Sequence, residues 1–182
     1  MRNNFLLVLS FFISPELLLA QTADSFPQRA AELAGRLKQN LTKSLTQKIS
    51  QDGVAQAIGF CHEQVMPIAK TAAGEDIARF EFGRTSHRVR QAKNLPQDWM
   101  KPYLSEFQES TLQKPATAKV HEFADGKRAY LEPLYIQPLC LSCHGSPLSG
   151  EVSAEVRRLY PQDQATGFKL GEFRGMIWVK EK

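Results

Sequence analysis

The chain has no apolar run long enough to cross a bilayer. The longest, Phe5–Ile13, falls well short of the roughly 20 residues a spanning helix needs. It also lacks a strong charge of either sign: 23 basic residues face 19 acidic ones, a net charge of +4. The basic residues are scattered, which argues against a nucleic-acid surface. An acidic protein partner or a negatively charged membrane surface stays open. No internal repeat or low-complexity linker divides the chain. With 42% hydrophobic residues over 182 positions, the sequence has enough apolar material for one folded domain.

The first residues read as a targeting segment. Arg2 gives a positive start, Phe5–Ile13 an apolar run, and Leu17–Ala20 continues it after Ser14-Pro15-Glu16. This pattern predicts a secretory signal over residues 1–20, cleaved after Ala20 or Ala23, with an uncleaved anchor as the alternative. No cysteine follows directly, which argues against lipidation there. The expected product is an exported, periplasmic-type protein whose single domain spans 21–182, with no membrane span after cleavage.

Hydrophobic spacing then predicts the elements. Phe26, Ala30, Leu33, Leu37, Leu41 and Leu45 recur every three or four residues, a helix over 26–50. Asp52-Gly53 breaks it, and Ile58, Cys61, Val65 and Ile68 mark a second helix over 54–70. Residues 79–86 read as a strand. Pro96 is expected to open a helix reaching Thr111. Residues 118–138 read as a strand pair turning at Asp125-Gly126. Residues 149–160 suggest a short helix and 173–179 a last strand. The order predicts an α+β domain with an antiparallel sheet.

The chemistry concentrates in Cys140-Leu141-Ser142-Cys143-His144, expected in a loop. Two thiols three residues apart followed at once by an imidazole are what covalent haem attachment requires. The sulfurs become thioethers on the two vinyl groups, and the histidine lies under the iron. Gly145 is expected to let the backbone pass close to the ring. A thioredoxin-like dithiol would want a helix start after a strand in a βαβ setting, which the pattern lacks. Zinc would need a second ligand pair at similar spacing, which the chain also lacks. A structural disulfide would not need His144.

Only three cysteines are present, so two thioethers leave Cys61 single. On the stripe with Ile58 and Val65 it reads equally as a buried small hydrophobe or as a thiolate on the iron opposite His144. His62, Met66, His87, His121 and Met176 are the other candidates for that sixth position, and an empty position is a further possibility. Arg84, Arg88, Arg90 and Arg174 could pair with haem propionates, although each taken singly fits an ordinary structural arginine better. Tyr130 and Tyr135 read as core, and Tyr160, Asp163 and Gly167 as a turn.

Over essentially the whole mature length, the chain resembles the Tll-like family of exported single-haem domains. The resemblance rests on Ala57-Ile58 leading to Cys61, Phe82-Gly83-Arg84-Thr85-Ser86, Asn94-Leu95-Pro96 with Trp99, Pro133-Leu134, Cys140–Gly145, Tyr160–Gly167 and Gly171–Gly175. It implies a PAS-like fold, with long N-terminal helices packed on an antiparallel sheet. It implies one haem c with its iron between His144 and Cys61, and a redox or signalling role. The segment His87–Asn94 departs from the family's usual Arg-Asn-Pro turn, with Arg90 at the equivalent arginine.

The expected function is single-electron transfer through this haem, with a separate redox partner protein. The alternative is a haem-based redox or gas sensor that signals to a separate protein. A peroxidase would need an open iron face with a positioned acid–base group, and a filled sixth position opposes that. The expectation is therefore a protein that is not an enzyme.

Overall fold

The structure is a computed structural model that describes residues 25–182. The expected signal segment lies outside the described residues.

Two long helices come first, α1 (Phe26–Asp52) and α2 (Val54–Ala73). Pro27 in the first turn suits the helix start, where its missing N–H is not needed. Gly53 separates the two helices at φ 86°, a conformation that favours glycine, and its N–H bonds back to Ile49. The expected stripe of α1 is buried through its first half: Ala30, Leu33 and Ala34 are fully covered and Leu37 nearly so. Each buried leucine contributes about 1.5–3 kcal/mol.

These side chains pack on a four-stranded sheet made of β1 (Phe80–Thr85), β2 (Lys119–Glu122), β3 (Arg128–Tyr135) and β4 (Phe173–Glu181). The spatial order is β1-β4-β3-β2 and every neighbouring pair is antiparallel. Phe80, Tyr130, Ile177 and Val179 face α1 and α2. Leu131, Phe173 and Met176 face the opposite side, where Met100, Leu104 and Phe107 cover them. Period-two alternation thus feeds two apolar layers, and the central strands β3 and β4 are buried on both faces.

The hairpin forms where expected. Gly126 turns at φ 80° and Phe123 and Lys127 close the loop. The helix expected from Pro96 to Thr111 is shorter. A 3-10 turn, Asp98–Met100, leads into α3 (Lys101–Gln108), and Pro102, not Pro96, takes the helix-start position. Leu95 is extended (φ -57°, ψ 142°), as the residue before a proline is biased to be. Beyond Gln108 the chain leaves the helix, and Thr111 bridges to Lys114 and Glu172.

Two helices remain, α4 (Leu141–His144) and α5 (Gly150–Leu159). Ser149 caps α5, its Oγ accepting from the Val152 N–H at 3.3 Å. Val152 and Val156 of α5 close on Ile58 of α2, and Cys143 packs against this cluster. α2 is thereby brought to the CLSCH segment.

Candidate functional site

β3 delivers the chain to the motif through buried Ile136, whose N–H bonds to Glu172 O at 2.9 Å. The motif is then helical, not the loop expected: a 3-10 turn, Pro138–Cys140, runs into the single turn of α4. Helical spacing aligns positions three and four apart, so Cys140, Cys143 and His144 share one face. Leaving that turn explains Gly145. A Cβ there would stand 2.7 Å from the Leu141 carbonyl oxygen, so the turn's own backbone requires glycine at this position.

A helix soon after a strand supplies half of the thioredoxin-like context that the sequence seemed to lack. The βαβ half is missing, because the sheet is antiparallel throughout. The thiol chemistry also runs the other way. A reactive dithiol needs a depressed pKa, whereas burial pushes Cys143 up to about 11. Cys61, Cys140 and Cys143 are all free and half-buried.

His144 is prepared as a ligand. Its Nδ1 lies 2.6 Å from the Ala165 carbonyl oxygen. A carbonyl can only accept, so Nδ1 carries the proton and Nε2 keeps its lone pair. Burial holds the imidazole well below its ordinary pKa, helped by Arg174, Arg90 and Arg84 and opposed by the Ala165 bond. The ring is therefore neutral at neutral pH, the form that binds metals.

Cys61 reaches the same place from α2. Cys143 feels the charge of Cys61, and both cysteines feel that of Arg90. Cys61 is half-buried, not sealed in the core as the small-hydrophobe reading would have it. Burial raises its pKa, with Arg84 and then Arg90 opposing. Of the other sixth-position candidates, Met176, Met66 and His121 lie elsewhere, whereas His87 and His62 share neighbours with His144 and Cys61. Met176 is fully buried against α3. Met66 points to solvent. His121 packs between Trp99 and Phe123, with Nδ1 3.0 Å from the Tyr103 hydroxyl. His87 stacks on Phe173 and meets the edge of Phe168, the ring that also contacts His144. His62 is exposed on α2, close to Gln91 and the Tyr160 ring.

The four arginines divide into two kinds. Arg88 and Arg90 are structural. Arg88 donates to the carbonyls of Gln164 and Thr166 and lies over Phe168. Arg90 grips Asp163 with two nitrogens and also donates to the carbonyls of Cys143 and Ala165. Arg84 and Arg174 make no ion pair among the described residues; Arg174 donates only to the Arg88 carbonyl. Desolvation lowers the pKa of both, Arg174 to about 10. Arg84 is solvent-accessible by area, yet enough protein surrounds it to desolvate its charge. Cys61 and Tyr160 are the groups whose negative charge Arg84 feels most.

The sequence reading treated Asp163 and Tyr160 as turn residues. They do form the turn, the Asp163 N–H bonding to Tyr160 O at 3.0 Å. Asp163 is in addition the buried partner of Arg90, and Tyr160 a buried neighbour of Ile58. Ala165, whose carbonyl orients His144, was not singled out at all. A backbone group carries no signature in the side-chain alphabet, and no spacing rule links positions 90 and 163.

Among the described residues, no three His, Cys, Asp or Glu side chains converge to hold a bare metal ion.

No curated protein matches the chain. Among solved structures, the crystal structure of the cyanobacterial heme-protein Tll0287 matches with a TM-score of 0.62 and 21% identity, covering 82% of this chain and 89% of that chain. At that identity the match shows a shared fold. The family model described as Tll0287-like matches residues 17–181, nearly the full length. The chain belongs to the Tll0287-like family.

Proposed function

We propose that this protein is an exported c-type haem protein of PAS-like fold that passes single electrons to a separate redox partner. Cys140 and Cys143 hold one haem as thioethers, and His144 Nε2 and Cys61 Sγ ligate its iron. The observation that carries this reading is the helical CLSCH turn, with the His144 imidazole already oriented by the Ala165 carbonyl. Metal-binding histidines characteristically donate their second nitrogen in this way. The solved relative is a heme-protein, which supports the same group here.

The remaining residues fit that group. Haem bears two propionates, and Arg84 and Arg174 are cations in want of an anion. Phe168 and Tyr160 supply apolar surface beside them. A bound haem supplies one-electron chemistry at iron, and thiolate ligation favours the ferric state. Cys61 would ligate as thiolate, and Arg84 and Arg90 favour that charge against the cost of its burial.

One observation favours the sensor reading as second. The Cys61 thiol makes no hydrogen bond among the described residues, so no polar contact would hold its sulfur on the iron. A ligand held so lightly can be displaced.

The test uses full-length protein produced with a c-type haem maturation system. Haem colour should stay with the chain after denaturation and vanish in Cys140→Ser with Cys143→Ser. Cys61→Ala should abolish the near-infrared thiolate-to-iron band of the ferric protein. Colour lost from the wild type on denaturation overturns covalent attachment. An unchanged band in Cys61→Ala overturns the axial assignment. Fast carbon monoxide binding by the reduced protein selects sensing, and resistance to it selects electron transfer.

A further inference from the structure

Arg90 and Asp163 form an ion pair whose side chains keep only 12% and 7% of their surface. Burying two charges costs several kcal/mol per ion before their attraction is counted, so such a pair is a poor way to gain stability alone. Its geometry suggests another use. Arg90 Nε meets Asp163 Oδ1 at 3.0 Å and Nη2 meets Oδ2 at 3.3 Å, a two-pronged grip that fixes the guanidinium plane. The same Nη2 donates to Cys143 O at 2.7 Å and to Ala165 O at 3.3 Å. Asp163 Oδ1 accepts the Ala165 N–H at 3.0 Å. Ala165 is thus held on both sides, its N–H by Asp163 and its carbonyl by Arg90. That carbonyl is the one that takes the proton-bearing Nδ1 of His144.

A carbonyl oxygen has two lone pairs. Here the oxygen accepts from both the guanidinium and the imidazole. An oxygen already polarised by a guanidinium is a weaker acceptor for the second donor. We propose that the Arg90–Asp163 pair is a positioning device, which fixes the Ala165 carbonyl that orients His144 and limits how far that carbonyl draws on the imidazole N–H. The proposal rests on His144 being an iron ligand, as argued above. Arg90 and Asp163 are positioning residues, since they act through Ala165. Losing the grip on Ala165 lets the His144 bond strengthen, moves the ring towards imidazolate, favours ferric iron and lowers the reduction potential.

Arg90→Lys keeps the charge and removes the planar fork. The holoprotein is examined by potentiometric titration and by the low-spin ferric electron paramagnetic resonance signal, whose g-values report ring orientation and basicity. The expected result is a downward shift in potential with altered g-values, at wild-type haem loading. A role through charge alone leaves Arg90→Lys at the wild-type potential and g-values, and that result overturns the proposal. Asp163→Asn keeps the shape and serves if Arg90→Lys does not fold; thermal unfolding checks both. Altered g-values in Asp163→Asn support the device, and wild-type values overturn it. Wild-type protein without covalent haem sinks the reading beneath the proposal, a failure distinct from a loaded wild type with unresponsive variants.

Discussion

Between α1 and the sheet, Ala30, Leu33 and Ala34 meet Phe80, Ile177 and Val179 with almost no surface left to solvent. Around the motif the contacts are of another kind. Arg88 and Arg90 thread between segments and donate to the carbonyls of Gln164, Thr166, Cys143 and Ala165. Apolar burial is non-directional and fixes how layers stack. Hydrogen bonds weaken steeply with angle and fix where a group points. The molecule uses burial where only separation matters, and polar tethers where an imidazole must face one way. The two regions should therefore respond differently to damage.

The largest effect is expected at Asp163. Replacing it with alanine leaves the buried Arg90 charge without its carboxylate, at a cost of about 3–5 kcal/mol in chemical denaturation of the holoprotein. The double change Arg90→Met with Asp163→Leu should recover most of that loss, since apolar residues of similar volume often replace a buried pair with little penalty. It should not recover the wild-type ferric spectrum, because the Asp163 and Arg90 bonds to Ala165 are then gone. A loss below about 1 kcal/mol in Asp163→Ala would class the pair with exposed ones and break the contrast between the regions.

Leu33→Ala tests the other side. It opens a cavity in a fully buried site and should cost about 2–5 kcal/mol. The spectrum should stay that of the wild type, because α1 reaches the motif only through α2 and the sheet. A spectral change in Leu33→Ala would mean that the layers are not separable.

The same division explains what could be read in advance. The α1 stripe, the Gly53 break, the Asp125-Gly126 turn and the alternation in β3 and β4 are periodic or local signals, and each element formed near its expected bounds. The helix expected to open at Pro96 instead starts at Lys101 with Pro102 in its first turn, since either proline satisfies the same local rule. The four-residue turn of α4 is too short to show any period. CLSCH and Cys61 were legible as residue types. The Arg90 grip was not, since it joins positions 73 residues apart and ends on backbone atoms.

His87 sits on the border between the two regions and belongs to neither. Its ring lies among Phe168 and Phe173, yet its Nδ1 is buried without a partner. Desolvation lowers its pKa, with repulsion from Arg88 and Arg174 adding to this and Glu172 opposing. The unfolded chain titrates near the ordinary value of 6.5. Below that pH the unfolded state binds a proton that the folded state refuses, so stability falls as pH drops from 6.5 towards the lowered folded pKa. His87→Phe keeps the stack and removes both the orphaned atom and the titration. It should stabilise by about 1 kcal/mol at pH 7.5. The gain over wild type should grow as pH falls to 5, read as the difference between two urea melts at each pH. A gain that is flat with pH would show that the ring is wet enough to take its proton in the folded state. The apolar seam at Phe168 and Phe173 would then tolerate a charge, and the border between the two regions would lie closer to the sheet than these contacts draw it.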